Sequence, residues 1–171
     1  METWDTIRSR RNVRTYADRP VGEADLERIL EAARRTPSSA NRQRWEFVVV
    51  TGRDNLQRLA GVWRGAQHVA GSAATIALIA PLADDPRTRE SIHYDLGQAT
   101  MSIMLAAADA GIGSGHAAVE NQQLAREILG FPEDRFCAWL IALGYPADRP
   151  LRPVRVPNRR PWGDVVHRER W

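Results

Sequence analysis

Arg10, Arg11 and Arg14 put three guanidinium groups within five residues, with Asn12 between them. A guanidinium stays charged near neutral pH, forks onto two oxygens at once and cannot serve as a base, so this cluster suits a phosphate rather than proton transfer. By itself such a run is better read as a solvated surface turn. A second pair, Arg159 and Arg160, lies close to the C-terminus. Between the two groups runs Thr36 to Trp45, TPSSANRQRW, a stretch without apolar periodicity. Pro37 fixes its backbone, Ser38 and Ser39 can turn it, and Asn41 and Gln43 each offer a donor and an acceptor in one planar group. That chemistry fits a flat heterocycle with alternating acceptors and donors, or an ordinary helix-to-strand connection. Taken with the arginines, it points to a bound phosphorylated heterocycle. Metal chemistry is not indicated: His68, His93, His116 and His167 lack i, i+4 pairing, and no Cys-x-x-Cys accompanies them. Cys137, set in FCAWLIAL, reads as a packing residue rather than a nucleophile.

The element that must position these groups is the apolar stretch His93 to Gly115. Its apolar residues surround the helix instead of forming a stripe, so the helix must be buried, against the chain's own sheet or in a subunit interface. About 18 residues at 1.5 Å each give roughly 27 Å, but Asp95, Gln98 and Asp109 break the hydrophobicity a membrane span needs. Asp95 is placed to cap or charge the first turn. Gly111-Ile112-Gly113-Ser114-Gly115 has the glycine spacing of a dinucleotide or nucleophile-elbow loop, but those loops follow a strand and this one follows a helix, so the glycines read as a helix stop. Other helices are expected at Trp4 to Ser9, Glu23 to Arg35, Asn55 to Trp63 and around Leu124, Ile128 and Leu129, the last closed by Gly130. Strands are expected at Phe47 to Val50, Ala73 to Ala80 and Phe136 to Leu143, with Ala83 to Glu90 a charged loop. From Ala147 onward four prolines enforce an extended path, while Trp162, Val165, Val166 and Trp171 call for a groove to cover them.

Composition sets the frame. The 171 residues suit one domain spanning 1–171, with 147–171 an extended arm. The chain contains no lysine, and all 24 basic residues are arginine. Glu2, Asp5, Asp18, Glu23, Asp25, Glu27 and Glu31 interrupt the N-terminal arginines, so no basic stripe forms and nucleic acid is not the expected partner. METWDTIRSRR places charges where a signal peptide needs an apolar run, and a cytoplasmic location without membrane contact is expected.

Read in order, four segments of the chain resemble the nitroreductase family of FMN-dependent oxidoreductases. Arg10-Arg11-Asn12-Val13-Arg14 with Tyr16 is similar to that family's Arg-Arg-Ser-x-Arg-x-Phe start, and Pro37-Ser38-Ser39-Ala40-Asn41-Arg42-Gln43-Arg44-Trp45 to its Pro-Ser-Ser-x-Asn-x-Gln-Pro-Trp. Gly111-Ile112-Gly113-Ser114 after the long helix, and Leu143-Gly144-Tyr145-Pro146 with Arg159-Arg160-Pro161 beyond it, complete the set. The resemblance implies an α+β fold: a central, mainly antiparallel sheet flanked by helices, the long helix in the core of a homodimer, and the C-terminal arm exchanged between subunits. It implies FMN at the dimer interface, with the phosphate and ribityl end on Arg10, Arg11, Asn12 and Arg14 joined by Arg159 or Arg160. Pro37, Ser38, Ser39 and Asn41 of the other subunit would line the ring, and His116, Ala117, Ala118 and Val119 would pass beside it, with a backbone N–H at N5. Ala118-Val119 stands where relatives often have Gly-Gly, which narrows the pocket. The family's lysines near the flavin pyrimidine are absent; the resemblance implies Gln67 or His68 in their place, the alternative being that both are simple loop residues. The implied activity is ping-pong hydride transfer from NADH or NADPH through flavin N5 to a small nitroaromatic, quinone or enone, with no side-chain acid or base. The alternatives are a flavin-binding sensor or carrier and a specialised variant that modifies flavin or dehalogenates.

Overall fold

A computed structural model describes all 171 residues. Four strands, β1 (Glu46–Val50), β2 (Ala74–Pro81), β3 (Gly113–Ala118) and β4 (Arg135–Gly144), form one sheet in the order β1-β2-β4-β3. Every neighbouring pair is antiparallel. The central strand β2 reads as an unbroken apolar run because both its faces are covered. Ile76, Leu78 and Ala80 meet α2 (Glu23–Arg34) and α4 (Pro86–Asp109), while Ala77 and Ile79 meet α3 (Arg53–Leu59) and α5 (Gln122–Leu129). Ala138 is the extra residue of a bulge, and it keeps Leu78 opposite Trp139 and Ile79 opposite Cys137, partners that share a face. The α+β class and antiparallel sheet agree with the sequence reading.

Local chemistry sets the helix ends. In α2, Leu26, Ile29 and Ala33 bury one stripe against α4. The Asn121 side chain caps α5 by accepting from the Leu124 N–H at 3.0 Å, and Gly130 closes it at φ 73°. The helix α4 is longer than expected, at 24 residues. Asp85, not Asp95, is its N-cap, accepting from the Thr88 N–H at 2.8 Å, and Pro86 occupies the first turn, where its missing N–H costs nothing. The charged segment read as a loop is therefore partly the exposed start of α4, and Asp95 lies well inside the helix. Burial of α4 is also incomplete within one chain, since Tyr94 is 70% and Met101 46% exposed.

The glycines after α4 require a further correction. Only Gly111, at φ 73°, stops the helix; Gly113 and Gly115 belong to the edge strand β3. They are small because Val13 lies against that strand. A Cβ on Gly113 would fall 2.6 Å from the Val13 side chain, and one on Gly115 would collide with the Val13 carbonyl. The third expected helix is also shorter, breaking at Leu59 into a 3-10 turn, Ala60–Val62, with Trp63 extended beyond it. After β4 the chain passes Thr15 and Arg8, which accept from the N–H groups of Ala147 and Val154 at 3.1 Å each. Every residue past Leu151 is exposed, including Trp162 and Trp171.

Candidate functional site

α1 (Thr3–Ser9) packs against α4 and delivers the arginine segment to the outer edge of β3. There Asn12 bridges Ser114 in parallel, and the Val13 N–H donates to the Ser114 carbonyl at 2.9 Å. A cleft of about 780 Å³ opens beside this junction. Trp4 and Ile7 of α1 and Met101 and Leu105 of α4 form its apolar walls; Arg10, Arg11 and Asn12 line one end, and Val154 to Arg159 of the tail cross it. Arg10 and Arg159, from opposite ends of the sequence, thus share one cavity with Asn12.

The arginines are not equivalent. Arg11 is committed: its Nη2 pairs with Asp148 at 2.6 Å and donates to the Arg149 carbonyl at 2.8 Å. Arg160 donates to the Asp164 carbonyl at 2.9 Å and does not line the cleft. Arg10, Arg14 and Arg159 have no acidic partner within ion-pair distance. Arg14 projects where its charge acts on His68 and His116.

Those two imidazoles stand on opposite faces of β3. His68, 9% exposed, sits under Gly115 with Nε2 3.2 Å from the Gly115 carbonyl, so that nitrogen carries a proton. His116 meets Trp139 edge-on at 5.8 Å, and its Nδ1 is buried without a partner. Burial, chiefly, lowers both pKa values below the ordinary 6.5; the Arg14 charge adds to the effect, joined by Arg10 at His116, while carbonyl contacts partly oppose it at His68. Gln67 is exposed and spends its amide N–H on the Ala60 carbonyl at 2.9 Å. Ala117 is buried with Ala77 and Ile79 on the α3–α5 side of the sheet, and Ala118 ends the strand. Beyond it the turn is fixed: Gln122 holds the Val119 carbonyl at 3.0 Å, and the N–H groups of Glu120 and Asn121 both donate to Val62. The Val119 N–H enters no turn or loop hydrogen bond.

The loop from Thr36 to Trp45 stands apart from the cleft. Thr36 donates to the Ser102 hydroxyl at 2.9 Å, and Ser38 accepts from the Gln43 N–H at 2.9 Å. Ala40, Asn41 and Gln43 have φ of 51°, 53° and 48°. Each such non-glycine residue costs of order 1–3 kcal/mol and persists only where surroundings impose it. Just before this run the loop is held by Asp95, whose two carboxylate oxygens each lie 3.1 Å from the Ser39 N. Pro37, Ser38, Ser39 and Asn41 are thus gathered on one side of α4, and Arg10, Asn12 and Arg159 on another. Sequence reasoning missed Asp95 in this role, as well as the cleft walls. The spacing of Trp4 and Ile7 on a short helix was the available signal for the latter.

Cys137 is fully buried, and burial pushes its thiol up to about 12, so it supplies no thiolate. No helix is long and apolar enough to cross a membrane.

The sequence model of the Nitroreductase family matches residues 7–67, the span holding the arginine segment, the serine–asparagine loop and Gln67. The chain is 34% identical to a protein of Archaeoglobus fulgidus provisionally named NADH dehydrogenase/NAD(P)H nitroreductase, with 96% of each chain covered. The chain belongs to the nitroreductase family. Within this family it is also 25% identical to an FMN reductase [NAD(P)H] of Bacillus subtilis, across 92% of this chain and 71% of that one. Its fold matches that of an FMN-dependent nitroreductase from Clostridium difficile R20291 with a TM-score of 0.84 at 25% identity, covering 97% and 98% of the two chains.

Proposed function

We propose that this nitroreductase-family chain is an FMN-dependent NAD(P)H oxidoreductase, acting as a homodimer on a small organic acceptor of the nitroaromatic, quinone or enone type. The observation that carries the reading is the cleft in which Arg10, Arg159 and Asn12 converge with no acid upon them. Three guanidinium groups without an acidic partner, Arg10, Arg155 and Arg159, in an apolar-walled cavity fit one terminal phosphate, and outside the cavity lining the Nδ1 of His116 is a further buried polar atom without a partner. FMN therefore suits the residues present, and nothing in the cleft provides for an adenine.

FMN, when bound, would supply the redox chemistry that links a nicotinamide donor to the acceptor. Arg10, Arg159 and Asn12 would hold the phosphate end, and Arg14 brings positive charge toward the His68–His116 side. Arg11 fastens the tail beside the cleft through Asp148, which brings Arg159 within reach. The unused Val119 N–H is available to donate at N5, and the Ala118 and Val119 side chains narrow the space there and favour a flat acceptor. Pro37, Ser38, Ser39 and Asn41 complete the ring site from the other subunit, in keeping with their separation from the cleft within one chain.

The purified protein should be yellow and release flavin that chromatographs as FMN. NADH or NADPH should bleach it without oxygen, a quinone or nitroaromatic should restore the colour, and steady-state double-reciprocal lines should be parallel. A colourless protein that takes up no FMN would overturn the reading. Bleaching without reoxidation by any acceptor would leave a flavin binder in place of an enzyme.

A further inference from the structure

Asp95 is a carboxylate in the middle of α4, only 2% exposed and without a basic side chain in ion-pair range. A buried charge with no cation is costly, and its neighbours Leu96 and Ala99 show that this part of the helix packs with apolar residues. Its hydrogen bonds run to a single residue outside the helix. Both oxygens lie 3.1 Å from the Ser39 N, and Oδ1 also accepts from the Ser39 hydroxyl at 3.3 Å. Two turns further along the same helix face, Ser102 accepts from Thr36 at 2.9 Å, so α4 grips the loop at its start and again just before its left-handed residues. Between these grips and Gln43, which is tied to the Ser38 hydroxyl, stand Ala40 and Asn41 in the left-handed conformation.

We infer that Asp95 is a positioning residue for the flavin: it holds Ser38 to Asn41 in the shape the loop presents to the ring. This rests on the reading of that loop as part of an FMN site. The role explains why a charge is retained in a core helix. The carboxylate accepts from the one backbone N–H that begins the strained run, and a charged acceptor binds such a donor about twice as strongly as a neutral one. Because Met101 and Leu105 on another face of α4 wall the cleft, the same helix would set the cleft of one subunit's site and the loop of its partner's.

The test is Asp95→Asn, which keeps shape and volume but gives up the charge and turns an amide donor toward the Ser39 N–H. Apoprotein of wild type and variant is titrated with FMN by fluorescence quenching, and the thermal midpoint of each apoprotein is measured separately. A positioning role raises the FMN dissociation constant about tenfold or more and leaves the apoprotein midpoint within about 3 °C. A lowered midpoint with unchanged FMN affinity would show Asp95 to be structural only and overturn the inference. If Asp95→Asn does not fold, Asp95→Ser decides instead, since it keeps a small polar group at the position and gives up the charge: a weakening of FMN binding of about tenfold supports the role, and unchanged affinity overturns it. Wild-type apoprotein that fails to bind FMN would remove the functional reading itself and this inference with it, whereas tight wild-type binding matched by the variant removes the inference alone.

Discussion

Arg10 and Arg14 have the same side chain as Arg11 and lie within four residues of it, yet only Arg11 has a carboxylate of its own. Replacing Arg10 or Arg14 by alanine should each remove a charge-assisted hydrogen bond worth about 1.5–3 kcal/mol, lowering the flavin-to-protein absorbance ratio. Arg14→Lys should fall between wild type and alanine, because the charge survives and the fork does not. Unchanged flavin content in both alanine variants would return the segment to a surface turn. The histidines give a second expectation. Burial holds His68 and His116 below 6.5 in the folded chain, so the unfolded chain takes up protons first as pH drops. Their contribution to stability is complete above the unfolded value, is lost as pH falls through about 6.5 toward the lower folded value, and is lost no further beyond it. The apoprotein thermal midpoint should therefore decline between about pH 8 and pH 5, and His68→Gln should flatten the decline. Asp85, Asp109 and Asp148 are shifted down by their own partners, so their losses fall below the ordinary 3.8 and leave this window clear.

At the level of elements, the junction between β3 and the arginine segment depends on two missing side chains. Gly113→Ala would drive a methyl into Val13, and overpacking of this kind costs typically about 1–3 kcal/mol. The displaced group is the backbone that carries Arg10, Asn12 and Arg14, so flavin retention should fall together with the denaturation midpoint. Gly111→Ala is the control. Its φ is also strained for an alanine, at roughly 1–2 kcal/mol, but no atom stands within 4 Å, so stability should drop while flavin affinity holds. Equal loss of flavin in both variants would detach the site from the Val13 contact.

For the whole molecule, the exposed apolar residues are not scattered. Trp4 and Ile7 of α1 and Tyr94 and Met101 of α4 are uncovered, and the tail carries Trp162, Val165 and Trp171 exposed. An extended arm with apolar anchors and a helix face lacking a cover are the two surfaces that the proposed homodimer would bring together. Truncation after Pro146 removes Arg159, the Asp148 partner of Arg11 and the Val154 strap on Arg8. It should lose flavin and weaken dimerisation in one step, read by absorbance and by sedimentation at micromolar concentration. A truncated protein that remains a yellow dimer would exclude the arm from both.

Residue types and periods alone determined the amphipathic stripe of α2, the two-faced apolar run of β2, the Gly130 stop and the unsuitability of the tail for a helix, because each depends on local geometry or on burial that a pattern records. The motifs, read as a resemblance, led to the family, since the arginine and serine–asparagine segments keep their order and spacing. Contact decided the rest. Gly113 and Gly115 look like a helix stop until Val13, a hundred residues earlier in the chain, is laid against them. Asp95 looks like a first-turn charge until the helix is seen to start at Pro86 and the Ser39 N–H to end on its carboxylate. Likewise the difference between Arg10 and Arg11 is set by Asp148, 137 residues from Arg11. A partner that distant leaves no trace in local spacing, because folding alone brings the two side chains together.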